Sequence, residues 1–342
     1  MSPDNTDSFQ ITVVVTPHFN LASTLAFLDP FRALNYLIGA NQVRWKLVSA
    51  EGGEVPGSNG VSVTTQPLSG QLSKKPNLVI VSSSWTPENA LNPGLFKALR
   101  QWSQHDVRIG ALDTGAFILA GAGLLTAKRA TVHYEHIDAF IELFPEVVVT
   151  EDLFVLDQDV FSCCGGMASV DLALALIREL NGEGIANAVA RYVFHHAVRE
   201  TGATQNPECL EPFGRVTPSL VRRAIDLMEK HLEEPLAIPE ICDALQVSQR
   251  HLSRLFKQYV GKTPVLYYRD IRLDRARGLV TQTEMKLSEV AVASGFASQV
   301  HFSRAYRERF GLPPKQDRIE GRVPFEFRAW PMHSPIGTGA SS

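Results

Sequence analysis

Nowhere in these 342 residues does an apolar run reach the roughly 20 residues that a membrane-spanning helix requires. The opening stretch, MSPDNTDSFQ, lacks the basic and apolar parts of a secretory leader, so export is not expected. Cysteine is scarce too: there are four, Cys163, Cys164, Cys209 and Cys242, with no C-x-x-C pair and no His/Cys cluster. Adjacent cysteines such as Cys163 and Cys164 seldom bridge. That argues against a disulfide framework and a structural metal, and the expectation is four reduced thiols in a cytoplasmic protein without metal or cofactor.

Charge is moderate, at 20% of residues with a net value of −3, but it is unevenly placed. From Arg215 to Lys315 there are 17 basic and 11 acidic residues, an excess of +6. The remainder holds 16 basic and 25 acidic residues, an excess of −9. Such a division is expected if one part of the chain meets a polyanion. On charge alone, a solvated basic face with no partner is an equal alternative. The length itself exceeds one ordinary core, so two domains are expected.

The two parts have different rhythms. From Gln10 to about His196, short apolar runs alternate with longer helical stretches. ITVVV (Ile11–Val15), WKLVSA (Trp45–Ala50), NLVIVSS (Asn77–Ser83) and RIGAL (Arg108–Leu112) read as buried parallel strands. LASTLAFLDPFRALNYL, NPGLFKALRQWSQ and ASVDLALALIREL read as helices, and VVVTEDLFVLDQDVFSC as a hairpin. This alternation predicts an α/β doubly wound sheet over residues 1–198. Residues 199–217, rich in Gly, Pro, Asn and Thr, read as a linker. Residues 218–316 are punctuated as helices only, and 317–342 as a tail, partly flexible.

The helical part uses one pattern twice. HLSRLFKQYVGKTP (His251–Pro264) aligns with HFSRAYRERFGLPP (His301–Pro314), fifty positions later. Extended backwards with a one-residue shift, Ile238 meets Leu287, Glu240 meets Glu289, Ile241 meets Val290 and Val247 meets Phe296. Each copy is a short helix, a tight turn and a longer helix, near 238–260 and 287–310. The second turn carries Gly295, as such turns favour. Ile241, Ala244, Val247, Leu252, Leu255 and Phe256 are expected to pack the first pair together, leaving Gln249, Arg250, Ser253, Arg254 and Lys257 outward. That is the layout of a helix-turn-helix whose second helix enters the DNA major groove. Two copies joined by one long helix (about Pro264 to Gln282) would reach successive groove segments about 34 Å apart.

Residues 216–314, and KLSEVAVASGFASQVHFSRAYRERFGLPP above all, resemble the AraC/XylS-type DNA-binding domain. The resemblance implies a transcription regulator, usually an activator that touches RNA polymerase and binds double-stranded DNA as a homodimer. By motif position, Arg250, Ser253, Arg254 and Lys257 fall on the first recognition helix, and Gln299, His301, Ser303 and Arg304 on the second. Arginine can contact guanine and glutamine adenine, while serine and lysine hold phosphates. Solvated arginines are the alternative for Arg254 and Arg304, and an internal hydrogen bond for His301.

In the first part, IGALDTGAFILAGAGLL (Ile109–Leu125) reads as strand, sharp turn and helix, an elbow that lifts one side chain to a helix N-terminus. Residues 10–198 resemble the class I glutamine amidotransferase-like, flavodoxin-like fold of PfpI-type proteins, and AGAGLLTAKRATVHY resembles the GlxA-like branch fused to AraC-type domains. The enzymes of that superfamily carry a nucleophilic cysteine at the elbow, with a histidine about where His133 stands. Here the elbow residue is Asp113. A carboxylate cannot replace a thiolate in amidotransfer, so a catalytically inactive ligand sensor is expected. A hydrolase or amidase that uses the Asp113 elbow is the alternative. Asp113 itself reads either as a helix N-cap or as a ligand contact. With Thr114, His133, Trp85, Tyr134 and Phe19 it forms the candidate ligand site. The effector class that the resemblance implies is a small nitrogenous metabolite such as an amino acid, betaine or carnitine. Aromatic faces would add cation–π attraction of about 0.5–2 kcal/mol each.

Overall fold

The computed structural model describes residues 8–320 apart from 86, 158, 197 and 206–217. Cys209, most of the expected linker and the tail beyond 320 lie outside the described residues. The chain divides into two compact units, Met1–Pro207 and Glu208–Ser342.

The first unit runs β1 (Phe9–Val15), α1 (Leu21–Ile38), β2 (Val43–Ser49), β3 (Gly53–Pro56), β4 (Ser62–Pro67), β5 (Leu78–Ser83), α2 (Pro93–Gln104), β6 (Arg108–Asp113), α3 (Gly115–Gly121) and β7 (Arg129–Ala130). It continues with α4 (Ile137–Leu143), β8 (Val148–Val149), β9 (Phe154–Val155), β10 (Val160–Cys163), α5 (Ala168–Asn181) and α6 (Glu183–Tyr192). Eight strands form one sheet in the order β3-β4-β2-β1-β5-β6-β10-β9. The five central strands, β2-β1-β5-β6-β10, are parallel to one another, with β3 and β9 pairing antiparallel at the edges. This is the doubly wound, flavodoxin-like order, which reverses between β1 and β5.

Alternation along the strands sends side chains to opposite faces. Val13, Val15 and Ile80 join the core beneath α1, α5 and α6, while Val14, Val79 and Val81 join the core on the α2, α3 and α4 side. All four strands expected from apolar runs are present, as is the β9–β10 hairpin. Residues 199–205, expected in the linker, are held on this unit: Leu153 N donates to Ala203 O at 2.7 Å and Gln205 N to Glu151 O at 2.8 Å.

The second unit is helical: α7 (Ser219–Glu229), α8 (Ile238–Leu245), α9 (Gln249–Tyr259), α10 (Pro264–Gln282), α11 (Leu287–Ala293), α12 (Gln299–Phe310) and α13 (Pro314–Glu320). It has two cores. Val221, Met228, Ile241, Leu252, Phe256 and Tyr268 form one; Leu273, Leu279, Val290, Phe302 and Tyr306 form the other. The long α10 contributes to both, which is why it is buried around much of its circumference.

The repeat extends to the caps. Ser248 and Ser298 accept from the backbone N–H of His251 and His301, at 3.2 and 3.3 Å. Glu240 and Glu289 accept from the N–H groups of Ala237 and Lys286, at 2.6 and 2.9 Å. Both first helices end in a left-handed residue, Gln246 (φ 57°) in one copy and Gly295 (φ 71°) in the other. Only glycine fits the second, since a Cβ at Gly295 would lie 2.5 Å from the Leu232 carbonyl oxygen.

One packing expectation is corrected. Ala244 is exposed, and Leu245 is buried in its place. Ile241 and Leu245, four residues apart, share the inner face of α8, so Ala244 turns to solvent.

Candidate sensor pocket and candidate nucleic-acid interface

In a sheet of this order, the crevice lies beyond the carboxyl ends of the strands that flank the reversal. Three such ends converge here: Asn20 after β1, Ser84 after β5 and Asp113 at the end of β6. Asp113 has φ 58°, a left-handed conformation uncommon for a residue with a side chain and one that marks functional turns. Two glycines let the elbow close, Gly115 against the backbone of β5 and Gly165 against Asp113 itself. A Cβ at Gly115 would lie 2.2 Å from the Val81 carbonyl oxygen, and one at Gly165 would meet Asp113 Cβ at 2.9 Å.

Asp113 is only 3% exposed, and its carboxylate accepts from Asn20 Nδ2 at 2.7 Å. Burial pushes its pKa up from 3.8 to about 7, against the opposing hydrogen bonds of Asn20, the Thr114 N–H and the Ser84 side chain. The N-cap reading is thereby corrected: Thr114 occupies the cap position of α3 and makes no side-chain cap bond, while the Asp113 carboxylate turns towards Asn20. Asn20 works in two directions, since its Oδ1 also caps α1 through Ser23 N at 3.0 Å.

Thr114 is buried and donates to Ser84 O at 2.7 Å. Phe19 is fully buried in the α1-side core, and its backbone bridges Ser84 and Gly57. Trp85 and Tyr134 are exposed, and the Tyr134 ring lies 4.6 Å from that of His133. His133 caps a short turn by accepting from Glu135 N. Asp113 draws its hydrogen bonds from Asn20, Thr114 and Ser84, and His133 is not among them. The structure therefore joins Asp113 and Thr114 into one site with Asn20 and Ser84, which the sequence reading missed.

Behind the elbow lie further groups that no local pattern announced. Cys163 and Cys164 are buried free thiols. The Cys164 thiol is pushed up by its hydrogen bond with Cys163 and by burial; the nearby Asp113 charge adds to this and Arg199 opposes it. Arg199 in turn is locked to the buried Asp171 of α5: its backbone N donates at 2.8 Å and its Nη2 at 2.6 Å to the two carboxylate oxygens. His195 Nε2 lies 2.8 Å from the same carboxylate.

In the second unit the recognition helices repeat each other position by position. Leu252 and Phe256 point inward on α9, as Phe302 and Tyr306 do on α12. Arg250, Arg254 and Lys257 are exposed on α9, as are Gln299, His301 and Arg304 on α12, and Ser253 and Ser303 are half-buried between them. Arg254 Nη2 lies 3.2 Å from His251 Nδ1, and Arg304 pairs with Glu308 at 3.2 Å.

The frame behind these helices is ionic. Arg309 binds Asp274 through two nitrogens at 2.6–3.0 Å and Asp270 at 2.9 Å, and Asp317 takes Arg277 at 2.9 Å and the Tyr306 hydroxyl at 2.7 Å. Arg272 donates to Gly295 O at 2.8 Å and stacks on Phe296 at 4.8 Å, fastening α10 to the second turn.

Residues 11–179 match the DJ-1/PfpI family, and residues 241–319 match a helix-turn-helix domain. Over 305 residues the chain is 38% identical to the HTH-type transcriptional regulator CdhR of Pseudomonas aeruginosa, covering 89% of this chain and 90% of that one. The chain belongs to the HTH-type transcriptional regulators. Its GlxA-like resemblance is borne out as well: it is 34% identical to the HTH-type transcriptional regulator GlxA of Rhizobium meliloti, over 92% of this chain and 96% of that one. A THiJ/PfpI family protein from Pseudomonas syringae shares the fold, with a TM-score of 0.50 at 20% identity, covering 72% of this chain and 95% of that one. A DJ-1/PfpI-type domain is thus joined to an AraC-type DNA-binding region, and the chain is a DNA-binding transcription regulator, not an enzyme. No helix among the described residues is long and apolar enough to cross a membrane.

Proposed function

We propose that this regulator answers a small nitrogenous effector of the amino acid, betaine or carnitine type, sensed at the Asp113 elbow. It acts in the cytoplasm as a homodimer and activates transcription through RNA polymerase. Arg250, Ser253, Arg254 and Lys257 of α9, with Gln299, His301, Ser303 and Arg304 of α12, read the operator in successive major-groove segments. The observation that carries the DNA reading is the matching exposed polar face on the two recognition helices, each set on its own core.

The sensing half rests on a buried carboxylate at the ligand crevice of a doubly wound sheet. A cationic nitrogen in reach of Asp113 stabilises its ionised form, so cation binding releases a proton near neutral pH. The Asp113–Cys164–Arg199–Asp171 cluster leads from the elbow to the segment that joins the two units. Effector occupancy, through Arg199, shifts the population of DNA-competent forms.

Thermal-shift screening of the full chain with amino acids, betaine and carnitine tests the sensor, followed by footprinting with and without the hit. Affinity for a cationic effector should rise as pH passes through about 7, and Asp113→Ala should abolish the response. Arg254→Ala and Arg304→Ala should each weaken operator binding by about 1–3 kcal/mol without changing the response to effector. No shift with any of these compounds would overturn the sensing reading, and unaltered footprints in both arginine variants would overturn the DNA reading.

A further inference from the structure

Among the exposed positions that the two recognition helices share, only one exchanges a charged side chain for an apolar one. Gln249 stands against Gln299, Arg254 against Arg304 and Lys257 against Arg307, but Arg250 stands against Val300. Val300 lies in the first turn of α12 and is 77% exposed. The core behind α12 takes Phe302, Ala305, Tyr306 and Phe310, and Val300 has no part in it. The first motif closes the same fold with arginine at this place, so packing does not ask for an apolar residue. Helix formation does not ask for it either, since a β-branched side chain is a poorer helix former than arginine. Val300 instead shares a face with Arg304, one turn further along and away from Phe302 and Tyr306.

We infer that Val300 reads the methyl group of a thymine in the major groove, while Arg250, at the same place in the first motif, reads a guanine. The inference rests on the DNA reading above and gives its two groove segments different base preferences. Residues in the first turn of a recognition helix are the ones that reach base edges. Along those edges the thymine C5-methyl is the apolar group, whereas guanine offers two acceptors, N7 and O6, to a bidentate arginine. An isopropyl group set against guanine would strip water from both acceptors and return no hydrogen bond. Valine in place of arginine therefore favours thymine and disfavours guanine at once. Gln299, Ser303 and Arg304 repeat Gln249, Ser253 and Arg254, so they cannot tell one segment from the other. Arg250 and Val300 can, and they fix which motif takes which segment.

Selection from a random-sequence duplex library with the full chain tests this, followed by fluorescence anisotropy on the selected duplex. The selected sequence should carry a guanine in one segment and a thymine in the other, about 10 base pairs apart. Replacing each thymine in turn by deoxyuridine removes the methyl group and keeps the base pair. At the thymine under α12 this should weaken binding about fourfold, the worth of one buried methyl group. Val300→Ala, which puts a better helix former at an exposed site, should remove most of that difference while leaving the fold intact. Val300→Arg should turn the preferred base from thymine to guanine. Three results would each overturn the assignment and leave the DNA reading standing: equal affinity for every uracil-substituted duplex, a uracil penalty that survives Val300→Ala, or a preference unmoved by Val300→Arg. A selection that enriches no sequence overturns both.

Discussion

The elbow of the first unit and the recognition helices of the second treat their polar groups in opposite ways. Asp113 is taken out of water, given three hydrogen-bond donors and held in a strained backbone. Arg254 and Arg304 stay in water, with one light contact each. A site for a small ligand gains from being desolvated and fixed beforehand, whereas a surface that meets a polyanion keeps its charge hydrated and available. The contrast recurs inside α12. Arg304 has an 83% exposed side chain, while Arg309, five residues on, is 10% exposed and clamped by Asp270 and Asp274. The basic excess of this region is therefore not all DNA-facing, because part of it is neutralised internally.

The comparison can be broken first at the cores. Phe302→Ala should destabilise the second helix-turn-helix by about 3–5 kcal/mol, and Leu252→Ala the first by about 2–5 kcal/mol. Hydrogen exchange on the full chain should show each loss starting in its own motif, with the first unit unaltered.

The elbow sharpens it next. Asp113 has its pKa raised by burial from 3.8 to about 7, so between these values the folded chain holds a proton that the unfolded chain has lost. The sign follows: the contribution of Asp113 is fully present below about pH 4 and is lost as pH rises to about 7, by about 4 kcal/mol at most. Asp113→Asn should remove this fall, and urea titrations of both forms across the range would show it.

The smallest effects belong to the repeated caps. Ser248→Ala and Ser298→Ala should each cost about 1 kcal/mol, and equal costs would confirm that the two motifs are built alike. Melting temperatures of the two variants would compare them.

Much of this architecture was legible in advance because its signals are local. Buried parallel strands are largely apolar runs, so β1, β5 and β6 stood out; β2, exposed at Arg44 and Trp45, was marked by its shorter Leu47–Val48 stretch. The edge hairpin β3–β4 did not, since SVTTQP carries polar residues on an exposed edge and shows no apolar alternation. Recognition-helix positions followed from a repeat that included its own caps. Ala244 misled because a small apolar residue fits either face of a helix, and only Leu245 beside it decided which way α8 turned.

Chain order alone determined two units of different class, a reversed-order parallel sheet ending in an elbow, and two recognition helices with a shared polar face. Each rests on periodicities and caps that act over a few residues. The tertiary structure decided the rest: Asn20 reaching Asp113 across 93 positions, Arg199 locking onto Asp171, and Arg309 withdrawn from solvent by Asp274. Those pairings join residues far apart in the chain, and their energy comes from burial and partner geometry that exist only once the chain has folded.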